Sequence, residues 1–236
     1  IEFAEKHQIP IAKDKREAWN LHLEATQDQF AEEEIRLGPW TSHSLINDPK
    51  HMAFVLSRYK FCAKLIEGKN KALEVGCGDG FGTPILAQAV GHLDCIDWEP
   101  RNIEGNKRRL KHLKNTDFLE LDVSANEIKG KYDAILSIDV IEHLEPEFEK
   151  PFMENQINAL AKEGVLITGT PNVTASQHAT FRSDHQHINL KSAKELKTLL
   201  DKYFHNSFIF SMNDEVVHTG YHPMAHYLMA FAIGKK

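Results

Sequence analysis

The sequence predicts an α/β fold, a doubly wound parallel sheet, on three observations. From residue 71 onward, short apolar runs alternate with helical stretches. The first of those runs leads into a glycine-rich turn that opens a helix. The last two runs leave no room for a helix between them. Strand–helix alternation places helices on both faces of a parallel sheet, and a closing pair without a crossover must run antiparallel.

Taken in order, residues 14–37 are polar and charged, with Trp19, Leu21, Leu23, Phe30 and Ile35 spaced as on an amphipathic helix. Gly38-Pro39 ends it. A second helix is predicted from Asp48-Pro49, an N-cap followed by proline at the first helical position, and Gly68 closes it. Residues 40–46 are read as a mobile connector between the two. Strands are predicted at 72–75, 93–96, 118–121, 134–138, 165–168, 207–210 and 227–233. Helices are predicted at about 83–89, 101–112, 147–161 and 192–203, the last opened by a Ser192–Glu195 capping box. The outcome is a Rossmann-like doubly wound seven-stranded sheet, last strand antiparallel, with an N-terminal helical extension. Residues 1–70 form the helical lid and 71–236 the main domain.

Composition removes several classes of function. The chain's 28 Lys+Arg against 34 Asp+Glu give a net charge of −6, which disfavours a protein built to grip nucleic-acid phosphates. A hydrophobic content of 42% over 236 residues supports a sizeable core and excludes global disorder. Three cysteines, none in a CxxC pair, make no disulfide framework and point to a reducing compartment, the cytoplasm. No apolar stretch approaches the ~18 residues of a membrane span, and nothing visible has the shape of a signal peptide.

The strongest motif is Leu73-Glu74-Val75-Gly76-Cys77-Gly78-Asp79-Gly80-Phe81-Gly82. Glycines at alternate positions beyond a first strand let the backbone approach a ligand at the carboxyl edge of the sheet. A dinucleotide fingerprint needs a third glycine three residues beyond the second. Phe81 and Thr83 stand there instead. Glu74 and Asp79 would repel a pyrophosphate and suit a ligand with a cationic part. Asp97 ends the second strand, followed by Trp98, and a carboxylate there can accept from both ribose hydroxyls. Asp122, with Val123 after it, ends the third strand, where it can accept from an adenine amine.

These features resemble the class I S-adenosylmethionine (SAM)-dependent methyltransferases over roughly residues 71–236. The resemblance implies SAM as cofactor, with Glu74, Gly76, Gly78, Gly80, Asp97, Trp98, Asp122 and Val123 around it. The segment Ser137–Ile138–Asp139–Val140–Ile141–Glu142–His143 is closest to small-molecule O-methyltransferases of the ubiquinone-biosynthesis type, whose usual E-x-x-E-H begins here with Asp139. By that resemblance Arg58 reaches the SAM carboxylate and Ile138 lines the adenine pocket. Asp139, Glu142 and His143 become candidate ligands for Mg2+. No D/N-P-P-Y/F follows the fourth strand, which disfavours methylation of nucleobase amines.

On the acceptor side, polar connections after strands five and six carry His178, Arg182, His185, His187, His218, His222 and His226. The expectation is that six histidines converge near the transfer site and favour a small polar or saccharide acceptor. Methyl transfer to a hydroxyl needs alignment and a base. His143 is the first candidate, with His185 and His187 behind it. Two alternatives stay open: an RNA methyltransferase using Lys107, Arg108, Arg109, Lys111 and Lys114, and a catalytically silent SAM-binding regulatory protein.

Overall fold

The computed structural model describes residues 14, 16, 17, 19, 20, 36–178 and 186–236. Contacts divide the chain into two compact units, Ile1–Arg36 and Leu37–Lys236. In the first, the Asp14 carboxylate accepts from the backbone N–H of Arg16 and Glu17. Most of the amphipathic stretch expected there lies outside the described residues, as do Arg182 and His185 and the side chain of His178.

The second unit opens with helices α1 (Pro39–Asn47) and α2 (Pro49–Ile66). Strand β1 (Lys71–Val75), helix α3 (Thr83–Ala89), β2 (His92–Asp97), α4 (Pro100–Arg109), β3 (Thr116–Glu120) and β4 (Tyr132–Ile138) follow. Helix α5 (Pro146–Ala159), β5 (Leu160–Pro171), α6 (Ala193–Asp201), β6 (Phe204–Asn213), β7 (Val216–His218) and β8 (Tyr227–Lys235) complete it. The sheet order is β3-β2-β1-β4-β5-β8-β6-β7. Strands β1 to β5 are parallel, and β8 runs antiparallel to both β5 and β6.

The period-two pattern of the central strands explains the double winding. Along β4, Ala134, Leu136 and Ile138 face a core built with Tyr59, Cys62 and Ile66 of α2 and Leu86 of α3. Ile135 faces the opposite core, with Phe152 and Met153 of α5 and Leu196 and Leu200 of α6. Both faces are covered, so these strands read as near-continuous apolar runs. All three cysteines are buried free thiols.

Two expectations are corrected. Residues 40–46 are not a mobile connector but most of α1, started by Gly38 in extended conformation and Pro39 at the first helical position. The sheet has an eighth strand: Asp214, at φ +49°, turns the chain so that Val216–His218 pairs back on β6. Asp tolerates that left-handed conformation better than most residues, which closes a hairpin where the sequence suggests only a loop.

Candidate active site

Strand β1 ends in a turn whose Gly76, Gly78 and Gly80 all have positive φ, +74°, +53° and +76°. A Cβ on Gly76 would stand 2.4 Å from a Val140 methyl, whereas one on Gly78 would meet nothing within 4 Å. Gly76 is needed for close packing; Gly78 faces open space. The Gly78 N–H donates to Asp97 Oδ2 at 2.8 Å, and the Glu99 N–H donates to Oδ1 at 2.8 Å. Asn102 Nδ2 adds a third bond at 3.3 Å. Asp97 is thereby fixed at the mouth of a cleft of about 720 Å3, lined also by Trp40, His43, Trp98, Gly76 and Gly78. That volume is ordinary for a small-molecule site.

Glu74 lies beneath the turn, not in the cleft. It is 2% exposed and accepts from the Thr83 hydroxyl at 2.7 Å. Burial pushes its carboxyl up to about 7. The Asp122 carboxylate accepts from the N–H and hydroxyl of Ser124, while Val123 is buried; neither is among the cleft's lining residues. Ile138 is buried at the end of β4 and lines a middle lobe of about 610 Å3.

Asp79 does not wait for a cationic ligand. Its two oxygens accept from the Thr41 N–H and Thr41 hydroxyl, both at 2.8 Å. The N–H of the third residue of α1 is normally left for a capping side chain. Asp79 supplies that cap from the glycine turn. Gly38 makes the approach possible, since a Cβ there would stand 2.3 Å from Asp79. Helix α1 is thus fastened over the cleft.

Beyond β4 the chain bends sharply at Asp139, whose φ is +56°. The bend leads into a single 3-10 turn, Ile141–His143. Arg58 Nη1 donates to Asp139 Oδ2 at 2.7 Å, and its guanidinium lies 3.8 Å over the Tyr227 ring. Burial works against the Arg58 charge, but Asp139 more than offsets it and holds the pKa above its usual value. Arg58 lines a further lobe of about 550 Å3, with His51, Asp139, His143, Asn172 and His187. Asp139 and His143 line all three lobes. They stand where the spaces meet.

Residues 186–189 return over this edge and hold it. The His143 ring meets the Gln186 carbonyl through Nδ1 at 2.9 Å, and the Asn189 N–H donates to the Glu142 carbonyl at 3.0 Å. Glu142 is fully buried, accepts from the Thr170 hydroxyl at 3.1 Å, and leaves Oε1 without a partner. Burial, then the Asp139 charge, raises its pKa well above the usual carboxylate range. The His143 and His187 rings stand edge to face, 5.1 Å apart. Burial, then His143, lowers the His187 pKa. One ligand atom each from Glu142, His143 and His187 lies within 4.8 Å of the others. Asp139, the third metal candidate from sequence, is engaged by Arg58, and His187 completes the group instead.

The six histidines expected to converge do not all do so. His187 and His226 line the Arg58 lobe. His218 Nε2 meets Asn213 Oδ1 at 3.0 Å while its Nδ1 accepts from the Gly220 N–H. His222 Nδ1 meets the Ser211 hydroxyl at 2.7 Å. The β6–β7 hairpin draws both into local hydrogen bonds. His51 and His43, which the sequence reading passes over, line the site from α2 and α1. The basic run on α4 is partly spent at home, since Arg109 donates to the Asp79 carbonyl and Lys107 pairs with Glu104.

A family model described as a methyltransferase domain matches residues 49–203. Nodulation protein S of Sinorhizobium fredii is 30% identical over 100 residues, which are 42% of this chain and 46% of that protein. A protein of Mycolicibacterium smegmatis named a probable S-adenosylmethionine-dependent methyltransferase is 25% identical over 132 residues, 55% of this chain and 49% of the relative. The chain therefore spans about half the length of the curated relatives it matches. The crystal structure of the N-methyltransferase NodS of Bradyrhizobium japonicum, in complex with S-adenosyl-L-homocysteine, superposes with a TM-score of 0.59 at 21% identity. It covers 80% of this chain and 90% of that one, a likeness of fold.

Proposed function

The chain belongs to the methyltransferase-domain family, and from that premise we propose that it transfers a methyl group from SAM to a hydroxyl of a small polar or saccharide acceptor. The donor lies against Gly76 to Gly80 with its ribose on Asp97 and its adenine beside Trp98. Within the proposed N-terminal lid, helix α1 is the described part that covers the cleft, with Pro39, Trp40 and His43 at its rim. The acceptor enters the lobe lined by Arg58, Asn172 and His187.

The observation that carries the choice of hydroxyl is the setting of His143. Its Nδ1 faces a carbonyl, an acceptor, so Nδ1 bears the proton. In the neutral ring Nε2 is then the basic atom. As the acceptor oxygen bonds to the methyl carbon, the carbon–sulfur bond breaks and S-adenosylhomocysteine leaves as a neutral thioether. The hydroxyl proton passes to Nε2. An alcohol needs this help, whereas a neutral amine can attack without it.

The unpartnered Glu142 Oε1 beside two imidazoles also fits a divalent ion held by Glu142, His143 and His187. Two imidazoles and one carboxylate suit zinc better than Mg2+. Such an ion would lower the pKa of a bound hydroxyl. Incubation with methyl-labelled SAM and fractionated extract, with and without a chelator, tests the reading. His143→Ala should lower turnover by roughly 10²–10⁴-fold while donor affinity stays near wild type. Near-normal turnover in His143→Ala, with no chelator effect, would reject both roles for this histidine.

An amine acceptor is the second reading, favoured by the likeness to nodulation protein S and to an N-methyltransferase. The labelled product decides. A methylated amine is retained on a cation exchanger at neutral pH, and a methyl ether of a neutral sugar is not.

A further inference from the structure

Arg58 stands on the acceptor side of Asp139, and its surroundings are built to hold it there. Gly169 of β5 has no side chain, and a Cβ on it would come within 2.6 Å of the Tyr227 hydroxyl. That space lets the Tyr227 ring lie flat beneath the guanidinium, 3.8 Å from its carbon. The Tyr227 hydroxyl is buried toward Asp139 without a well-formed hydrogen bond, so the stacked ring is the contact that Tyr227 makes to Arg58. Arg58 in turn holds Asp139 by a 2.7 Å ion pair, with side chains 12% and 35% exposed. The Asp139 N–H donates to the Gly169 carbonyl at 3.0 Å. Gly169 therefore supports both ends of one chain of contacts: Tyr227 to Arg58 to Asp139.

Asp139 is one of two described non-glycine residues with positive φ. Left-handed backbone is uncommon outside glycine, and aspartate is among the residues that adopt it most readily, so contacts that hold the bend decide how firmly it is kept. What the bend accomplishes is visible in the next four residues. It sets Val140 against Gly76 of the donor turn and starts the 3-10 turn that carries Glu142 and His143.

We infer that Arg58 and Tyr227 are positioning residues: stacked together, they clamp the Asp139 bend and thereby aim the Glu142–His143 turn. This deepens the methyl-transfer reading and rests on it for its purpose, though not for its geometry. It assigns Arg58 to the acceptor half of the site rather than to the donor carboxylate. It also explains why Asp139 is absent from the Glu142–His143–His187 group, since its carboxylate is the clamp's anchor.

The test uses the whole chain and two readouts that need no acceptor. Hydrogen exchange, followed by mass spectrometry of peptides covering residues 139–144, reports the bend through the amides of Asp139, His143 and Leu144, all hydrogen-bonded in the fold. Calorimetry with S-adenosylhomocysteine reports the donor site. Arg58→Gln and Tyr227→Leu should each speed exchange in this segment at least about tenfold while donor affinity stays within about twofold of wild type. Arg58→Gln and Asp139→Asn should be non-additive when combined, because each breaks the same link. Tyr227→Phe keeps the ring and should exchange like wild type, a rescue that simple disruption of packing would not give.

A Tyr227→Phe variant as loose as Tyr227→Leu would overturn the stacking role. Unchanged exchange in Arg58→Gln, with donor affinity down at least about tenfold, would overturn the clamp and make Arg58 a donor ligand. If the wild-type protein fails to bind S-adenosylhomocysteine, the methyl-transfer reading fails, and the exchange result alone still decides the clamp.

Discussion

Asp97 holds the glycine turn through Gly78 and lines the cleft, so under the proposed reading it is the residue on which donor binding is tested. Hydrogen bonds to a charged group are each worth about 1.5–3 kcal/mol. Asp97→Ala should therefore weaken SAM and S-adenosylhomocysteine binding at least tenfold by calorimetry, in a protein whose circular dichroism is unchanged. Equal affinities would move the donor elsewhere. Its place in the cleft was legible because it is set locally: an acid at the end of an apolar strand, beside the glycine turn. Asp79 reads from sequence as a ligand-facing acid because its real partner, Thr41, lies 38 positions away on another element. His187 joins Glu142 and His143 only because Asn189 and Gln186 close over the β4 edge, contacts that no spacing in the sequence announces.

At the scale of elements, the sheet and its crossovers were readable because buried parallel strands and their intervening helices carry strong periodicity. The departures are short or fastened from afar. Three-residue β7 follows from one residue's tolerance of positive φ, and α1 is capped by a side chain outside its own segment. That cap makes a prediction about α1 as a unit. Replacing a capping side chain by alanine costs about 0.5–2 kcal/mol. Asp79→Ala should lower stability to urea by about that amount and weaken donor binding several-fold, because α1 carries Trp40 and His43 to the cleft. Thr41→Val removes only the hydroxyl's bond and should do less of both. Asp79→Ala with wild-type donor affinity would show that α1 can leave the cleft without consequence.

For the molecule as a whole, buried Glu74 ties stability to pH. An exposed glutamate ionises near 4.5, whereas burial carries this one to about 7 in the fold. Between those values the folded chain keeps a proton that the unfolded chain has released. The stabilisation from Glu74 is complete below pH 4.5 and is lost as pH rises through about 7. Over the full interval that amounts to roughly 3 kcal/mol. His51 and His187 act in the opposite sense: burial keeps them neutral, so they penalise the fold as pH drops below their ordinary 6.5. Asp94, held low against burial by Lys71, Tyr132 and His92, contributes stability that is lost only at more acidic pH. Glu74→Gln isolates the glutamate, because an amide oxygen can still accept from the Thr83 hydroxyl. Urea unfolding of the ligand-free protein from pH 5 to 8.5 should show wild type losing roughly 3 kcal/mol relative to Glu74→Gln, most of it between pH 5 and 7. Parallel curves for the two proteins would mean that the carboxyl beneath the glycine turn ionises as freely in the fold as in the unfolded chain.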